Sequence, residues 1–224
     1  LKEGNAWERR KANKTEIVKF GGEVKVDYIN NNLTFTHVNY EPVLAVPYDT
    51  PIVGYKNDVV NTLRLWSAEA VSNEFDFSSF SRGDFLQAIE YKNSVEAISQ
   101  VLYPEDSFYK GKILRLKQEY FFVSAGVQSI VRHFKKHGGR IDELDEKIAI
   151  HINDTHPTLA IPELMRILVD EEDLPWDVAW RVTTNTVSYT NHTILAEALE
   201  KWPIDMFKSL LPRIYMIIEE INRR

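Results

Sequence analysis

The 224-residue chain contains no cysteine, which excludes a disulfide framework and any thiolate metal site. Glycine and proline number nine each, too few for a collagen-like or low-complexity architecture. No stretch approaches the roughly 18 consecutive apolar residues that cross a bilayer, so no membrane is expected as a partner. Positive charge is not in excess either. Lys and Arg total 27 against 33 Asp and Glu, and a net charge of −6 argues against a general nucleic-acid binder. What is present is a globular mixture, 44% hydrophobic and 27% charged, far from the composition of disordered chains. The expectation is a soluble, cytoplasmic domain.

The chain opens Leu1-Lys2-Glu3, with neither an initiator Met nor a signal-peptide pattern. It closes on Ile214, Ile217, Ile218 and Ile221, an apolar stripe at helical spacing that stops at Arg223-Arg224 without a cap. A stripe cut in this way predicts a piece of a longer polypeptide.

Residues 1–80 read as a β-rich portion, arranged as an antiparallel meander. Val24, Val26, Tyr28 and Ile29 precede an Asn30-Asn31-Asn32 turn, and β-branched and aromatic residues continue from Leu33 to Tyr40. Val43–Val46 is an apolar run that Pro47 is expected to close, with turns at Asp49-Thr50-Pro51 and at Gly54. A strand is predicted from Asn57 to Trp66. From residue 81 to 224 the pattern becomes α/β and helix-rich. Phe85, Ile89, Val95, Ile98 and Leu102 mark one helix ended by Pro104. Leu116, Tyr120, Val123, Val127, Ile130 and Phe134 mark a second, closed by Gly138-Gly139. Lys147–Ile152 and Val187–Tyr189 are short apolar runs suited to buried parallel strands, with helices between them at Thr158–Asp170 and Trp176–Thr186.

The polar residues that follow those two strands carry the chemistry. One strand runs into Asn153-Asp154-Thr155-His156-Pro157, the other into Thr190-Asn191-His192-Thr193. In open α/β sheets ligands bind where loops leave the carboxyl ends of the strands. If the strands are neighbours, Asp154, His156 and His192 meet in one crevice. The plainer alternative is that Asp154 and Thr155 cap the next helix. A crevice of Asp, Asn and neutral His suits a polyhydroxylated ligand. Asp154, His156 and His192 also form a conceivable metal set, but no fourth ligand stands at a recognisable spacing, and no metal is expected. The acidic, aromatic segment Leu102–Gly111, with Glu105, Asp106, Phe108 and Tyr109, has the character of a gate over a sugar site, or of a plain connection between helices. Arg115 stands just beyond it.

Leu102-Tyr-Pro-Glu-Asp106, Leu114-Arg-Leu-Lys-Gln-Glu-Tyr-Phe121 and Asn153-Asp-Thr-His-Pro-Thr-Leu-Ala-Ile-Pro-Glu-Leu-Met-Arg166 resemble the glycogen (α-glucan, maltodextrin) phosphorylases. So do Val46–Pro51, Gly54-Tyr55, Asn61–Ser67, Thr190–Thr193, Glu197–Glu200 with Trp202-Pro203, and the opening Gly4-Asn5 with Trp7-Glu8. The resemblance runs from about residue 4 to 224.

This resemblance implies a fragment of the Rossmann-like N-terminal domain of a two-domain, GT-B type glycosyltransferase. The parent is then a cytoplasmic, homodimeric, pyridoxal-phosphate enzyme of glycogen metabolism. It transfers glucose from the non-reducing end of an α-1,4-glucan to inorganic phosphate, giving α-glucose 1-phosphate. The cofactor lysine has no counterpart here, so no cofactor-binding residue is assigned and the chain alone is expected to be inactive. A non-catalytic carbohydrate-binding or folding module is the alternative. Carried over residue by residue, His192 and the gate acid Asp106 take catalytic roles, and Asp154, His156, Thr193, Arg115, Ser107 and Glu200 line the substrate pocket. Ser107 stands where the family often has Asn. Muscle-type members bind an activating nucleotide through two adjacent arginines; here the pair reads Arg132-His133, so a strong nucleotide switch is not expected.

Overall fold

The computed structural model describes residues 7–29, 32–71, 85–102, 104–105 and 107–224. In chain order the strands are β1 (Arg9–Arg10), β2 (Glu16–Phe20), β3 (Glu23–Ile29), β4 (Asn32–Val38), β5 (Glu41–Val53) and β6 (Val60–Glu69). There follow α1 (Phe85–Gln100), α2 (Tyr109–Lys136), β7 (Ile150–Asn153), α3 (Ala160–Arg166), α4 (Trp176–Thr186), β8 (Val187–Thr190), α5 (Ile204–Leu210) and α6 (Pro212–Arg223). Strands thus dominate the N-terminal part and helices the C-terminal part of a mixed α/β protein. Among the described residues no helix is long and apolar enough to cross a membrane.

The chain forms two compact units, and they do not follow sequence order. One comprises residues 1–18 and 42–103, the other residues 19–41 and 104–224.

In the first unit β5 is the central strand, flanked by β1 and β2 and paired with β6 from Leu44↔Glu69 to Val53↔Val60. Val43, Ala45, Val46 and Ala68 form its core with Val95 and Ile98 of α1. The Ser99 hydroxyl accepts the Ala68 N–H at 2.9 Å. Two expectations are corrected. Pro47 does not close a run and Asp49–Pro51 is not a turn, because β5 passes through both as one 13-residue strand. Asp49 lies directly opposite Arg64, which grips its carboxylate with two bonds of 2.6 and 2.7 Å. Such a cross-strand ion pair favours the extended register over a local turn. Prolines spaced by four also lack their N–H on the same edge of a strand, which limits the loss to one ladder. The turn at Gly54 is present, its N–H donating to Val59 O at 2.8 Å.

The second correction concerns the meander. β3 and β4 pair only with each other, from Glu23↔Val38 to Ile29↔Asn32, and belong to the second unit. Gly22, at φ 74°, makes the entry to this hairpin: a Cβ there would collide with Val38 O.

The second unit is built around α2, whose 28 residues extend about 42 Å at the standard rise. Of its buried stripe of Leu116, Tyr120, Val123, Val127, Val131 and Phe134, the last four pack in a core that includes Leu144, Ile152, Leu164, Met165, Leu168, Val182 and Ile217. Gly138, at φ 81°, closes the helix, with Gly139 N–H bonded to Phe134 O. α3 continues as a π-helical turn, Ile167–Glu171. At the contact of α2 and α3, the fully buried Glu163 accepts the Tyr120 hydroxyl at 2.8 Å, the Ser124 hydroxyl at 2.7 Å and both arms of Arg166 at 2.8 Å. This polar node sets the position of α3 against α2.

Candidate functional site

β7 and β8 are parallel neighbours, in register from Ile150↔Val187 to Asn153↔Thr190. Both strands therefore release their chains at the same end of the sheet, and the Asp154 N–H adds one more bond to Thr190 O at 2.7 Å. Side chains then tie the two exit loops together. Asp154 adopts φ 63°, a left-handed conformation that Asp tolerates better than most residues. Its carboxylate accepts the Thr155 N–H at 2.8 Å and the Thr193 hydroxyl at 2.9 and 3.0 Å. The Thr193 hydroxyl, and behind it the Thr155 N–H, hold the Asp154 carboxyl below its ordinary pKa. His192 Nε2 lies 2.7 Å from Asn153 Oδ1, so it carries the hydrogen and leaves Nδ1 bare. Asn191 bonds the Thr193 N–H at 2.9 Å and fixes the loop between them.

The capping alternative does not hold. Leu159 precedes α3 without a side-chain cap, and Asp154 and Thr155 spend their bonds inside the loops.

A second group adjoins the first. The Thr155 hydroxyl donates to Glu200 Oε2 at 3.2 Å, and His156 Nδ1 stands 2.9 Å from Glu200 Oε1. From α2, Arg115 brings Nη2 to 3.1 Å from His156 Nδ1 and 3.5 Å from Glu200, and Nε to 3.2 Å from Glu119. Burial, together with a hydrogen bond and repulsion from Glu200, pushes the Glu119 carboxyl up to about 9, against the pull of Arg115. Burial opposes ionisation of Glu200 too, but hydrogen bonds from Glu119 and His156 and the nearby positive charges outweigh it and lower its pKa. At neutral pH the group is thus Arg115 positive, Glu200 negative and Glu119 protonated.

The structure brings Asp154, Thr193 and His192 together, and His156 with Glu200 and Arg115. It does not bring Arg132 and His133 to them. These lie on the exposed last turns of α2, 17 residues beyond Arg115 and so about 26 Å along the helix. Ser107 is exposed, its hydroxyl donating to Glu105 at 2.7 Å, and Asp106 lies outside the described residues. Glu119 is the residue that sequence reading passed over. The available signal was a carboxylate on the apolar side of α2, four residues from Arg115 and so on the same face.

Glu119, His156 and Glu200 offer three ligand atoms within 4.8 Å of one another. Arg115 already bridges both carboxylates, so a divalent cation would have to displace a guanidinium. The site is instead a wall of alternating donors and acceptors at a strand exit, the chemistry that recognises hydroxyl groups.

A profile of the family described as carbohydrate phosphorylase matches residues 1–224. The chain belongs to the carbohydrate phosphorylase family. It is 53% identical over 224 residues to a glycogen phosphorylase of Bacillus subtilis (strain 168). Over 232 aligned positions it is 52% identical to the muscle form of glycogen phosphorylase of Mus musculus and 50% identical to the brain form of Rattus norvegicus. Each comparison takes in all of this carbohydrate phosphorylase chain and 27% of the relative, so the chain spans about a quarter of those proteins' length.

Proposed function

We propose that this chain supplies the glucose-binding wall of an α-glucan phosphorylase. The observation that carries the reading is the locking of the two strand exits to each other, Asp154 to Thr193 and Asn153 to His192, in a member of the carbohydrate phosphorylase family. The whole protein then moves a glucosyl unit from the non-reducing end of an α-1,4-glucan to inorganic phosphate. The bond from the anomeric carbon to the glucan oxygen breaks, that oxygen takes a proton, and a phosphate oxygen bonds the same carbon with the α configuration kept.

In this reading Asp154 remains ionised and holds Thr193 and Thr155 in place for the sugar. His192, its Nε2–H held by Asn153, presents a bare Nδ1 that can accept a hydroxyl hydrogen. Glu200 and His156 bond further hydroxyls, and anionic carboxylates beside the anomeric carbon stabilise the positive charge that develops there. Asp106 and Ser107 belong to a gate that excludes water. Arg132 and His133 make a weak effector site at most.

Pyridoxal 5'-phosphate belongs to the proposal for the whole protein, where its phosphate supplies acid–base chemistry beside the attacking phosphate. The residues gathered here do not fit it. The anions Asp154 and Glu200 stand here with one guanidinium, Arg115, and that is already paired with Glu200 and the Glu119 carboxyl, a donor set that disfavours a dianionic phosphate, so the cofactor is assigned outside this site. The two-domain, Rossmann-like architecture, the homodimer and the cytoplasmic location belong to the same proposal.

The test is incubation of the full-length polypeptide with maltoheptaose and phosphate. Formation of glucose 1-phosphate in the α configuration supports the reading. Oligosaccharide binding without turnover would favour a carbohydrate-binding module instead.

A further inference from the structure

His156 Nδ1 faces two partners with opposite demands. Glu200 Oε1, at 2.9 Å, accepts and calls for Nδ1–H, whereas Arg115 Nη2, at 3.1 Å, donates and calls for a bare Nδ1. One ring nitrogen satisfies only one of them. Behind this contact lies Glu119, buried on α2, 3.2 Å from Arg115 Nε and 3.8 Å from His156 Nδ1, with a carboxylate oxygen within 4.8 Å of one of Glu200. Two carboxyl groups crowded about one guanidinium and one ring nitrogen repel each other when both are ionised, which favours one proton shared between them.

The place of that proton decides the tautomer of His156. With the proton on Glu119, Glu200 is an anion, takes Nδ1–H, and leaves Nε2 bare. With the proton on Glu200, Nδ1 turns to the Arg115 donor and Nε2 carries the hydrogen. The surroundings favour the first state. Glu200 is met by the Thr155 hydroxyl at 3.2 Å, by His156 and by the Arg115 guanidinium, all of them donors suited to an anion. The charged groups around His156 are Arg115 and Glu119 from α2, Glu200 from the loop before α5, and Asp154 from its own loop. The imidazole is half exposed, and with Nδ1 turned to Glu200 its outer nitrogen remains for a ligand.

We propose that Glu119 is a positioning residue that keeps the shared proton off Glu200, and so fixes His156 with a bare Nε2 that accepts a hydrogen bond from a sugar hydroxyl. This rests on the reading of the site as a glucose pocket. Glu119 itself touches no sugar in this arrangement; it acts through Glu200 and His156.

The test uses Glu119→Gln in the full-length protein, since the amide copies the shape and donor of the protonated acid but does not titrate. The first readout is the thermal midpoint against pH. A carboxyl whose pKa is raised by folding favours the native state below its unfolded value and loses that contribution as pH rises towards the folded one. Wild type should therefore lose stability relative to E119Q between about pH 5 and pH 9. A difference that does not vary with pH overturns the shared proton. The second readout is kcat/KM for phosphorolysis of maltoheptaose. E119Q should lack the basic limb expected of wild type near pH 9. Superimposable profiles overturn the positioning role. If the stability readout behaves as expected but wild type forms no glucose 1-phosphate, the sugar ligand is overturned and the shared proton stands.

Discussion

Asp154 shows how one residue couples backbone conformation to site geometry. Its left-handed φ turns the chain at the end of β7, and its carboxylate holds both its own loop and, through Thr193, the loop after β8. Replacement by Ala removes both bonds and places a residue without a local hydrogen bond at φ 63°, so Asp154→Ala should lower kcat/KM for glucan phosphorolysis by about tenfold or more. Asp154→Asn keeps one accepting oxygen and a side chain that tolerates the conformation, and should lose less. Equal losses for the two would contradict this account of the residue. Asp154, His156 and His192 were legible in the sequence because each follows a short apolar run directly, a local pattern. Glu119 was not. Its significance arises from Glu200, which is remote in sequence and is brought to it only when the loop before α5 folds against α2.

At the scale of elements, the relation of α2 to α3 determines whether Arg115 and Glu119 meet His156 at all. The buried node at Glu163 maintains it, with Tyr120 and Ser124 on one helix and Arg166 on the other. Arg166→Met would leave a buried carboxylate short of its counter-charge and should destabilise the protein by about 3–5 kcal/mol. Tyr120→Phe removes one of several donors and should cost about 1–3 kcal/mol. Urea unfolding of both variants checks the order, and a loss below 1 kcal/mol for Arg166→Met would contradict it. The helices and the two parallel strands could be read from periodicity, because their apolar spacing is a local property. β5 could not. Pro47 and Pro51 signal interruption locally, and the bond of Asp49 to Arg64 that keeps the strand extended depends on a partner in β6.

For the whole molecule, the change from strand-rich to helix-rich sequence suggested a division along the chain, but the β3–β4 hairpin folds with the helical unit and α1 with the first sheet. No local pattern announces such an exchange, since it depends on contacts between segments remote in sequence. The chain as a whole matches the carbohydrate phosphorylase family, and the polar wall at the β7 and β8 exits is the part of it to which the proposed function assigns sugar recognition. The measurement that tests this most directly is glucose 1-phosphate formation from maltoheptaose and phosphate by the full-length protein, wild type beside His192→Ala. The account predicts α-glucose 1-phosphate from wild type and a fall in kcat/KM of about tenfold or more in the variant. No product from wild type, or an undiminished rate in His192→Ala, would contradict it.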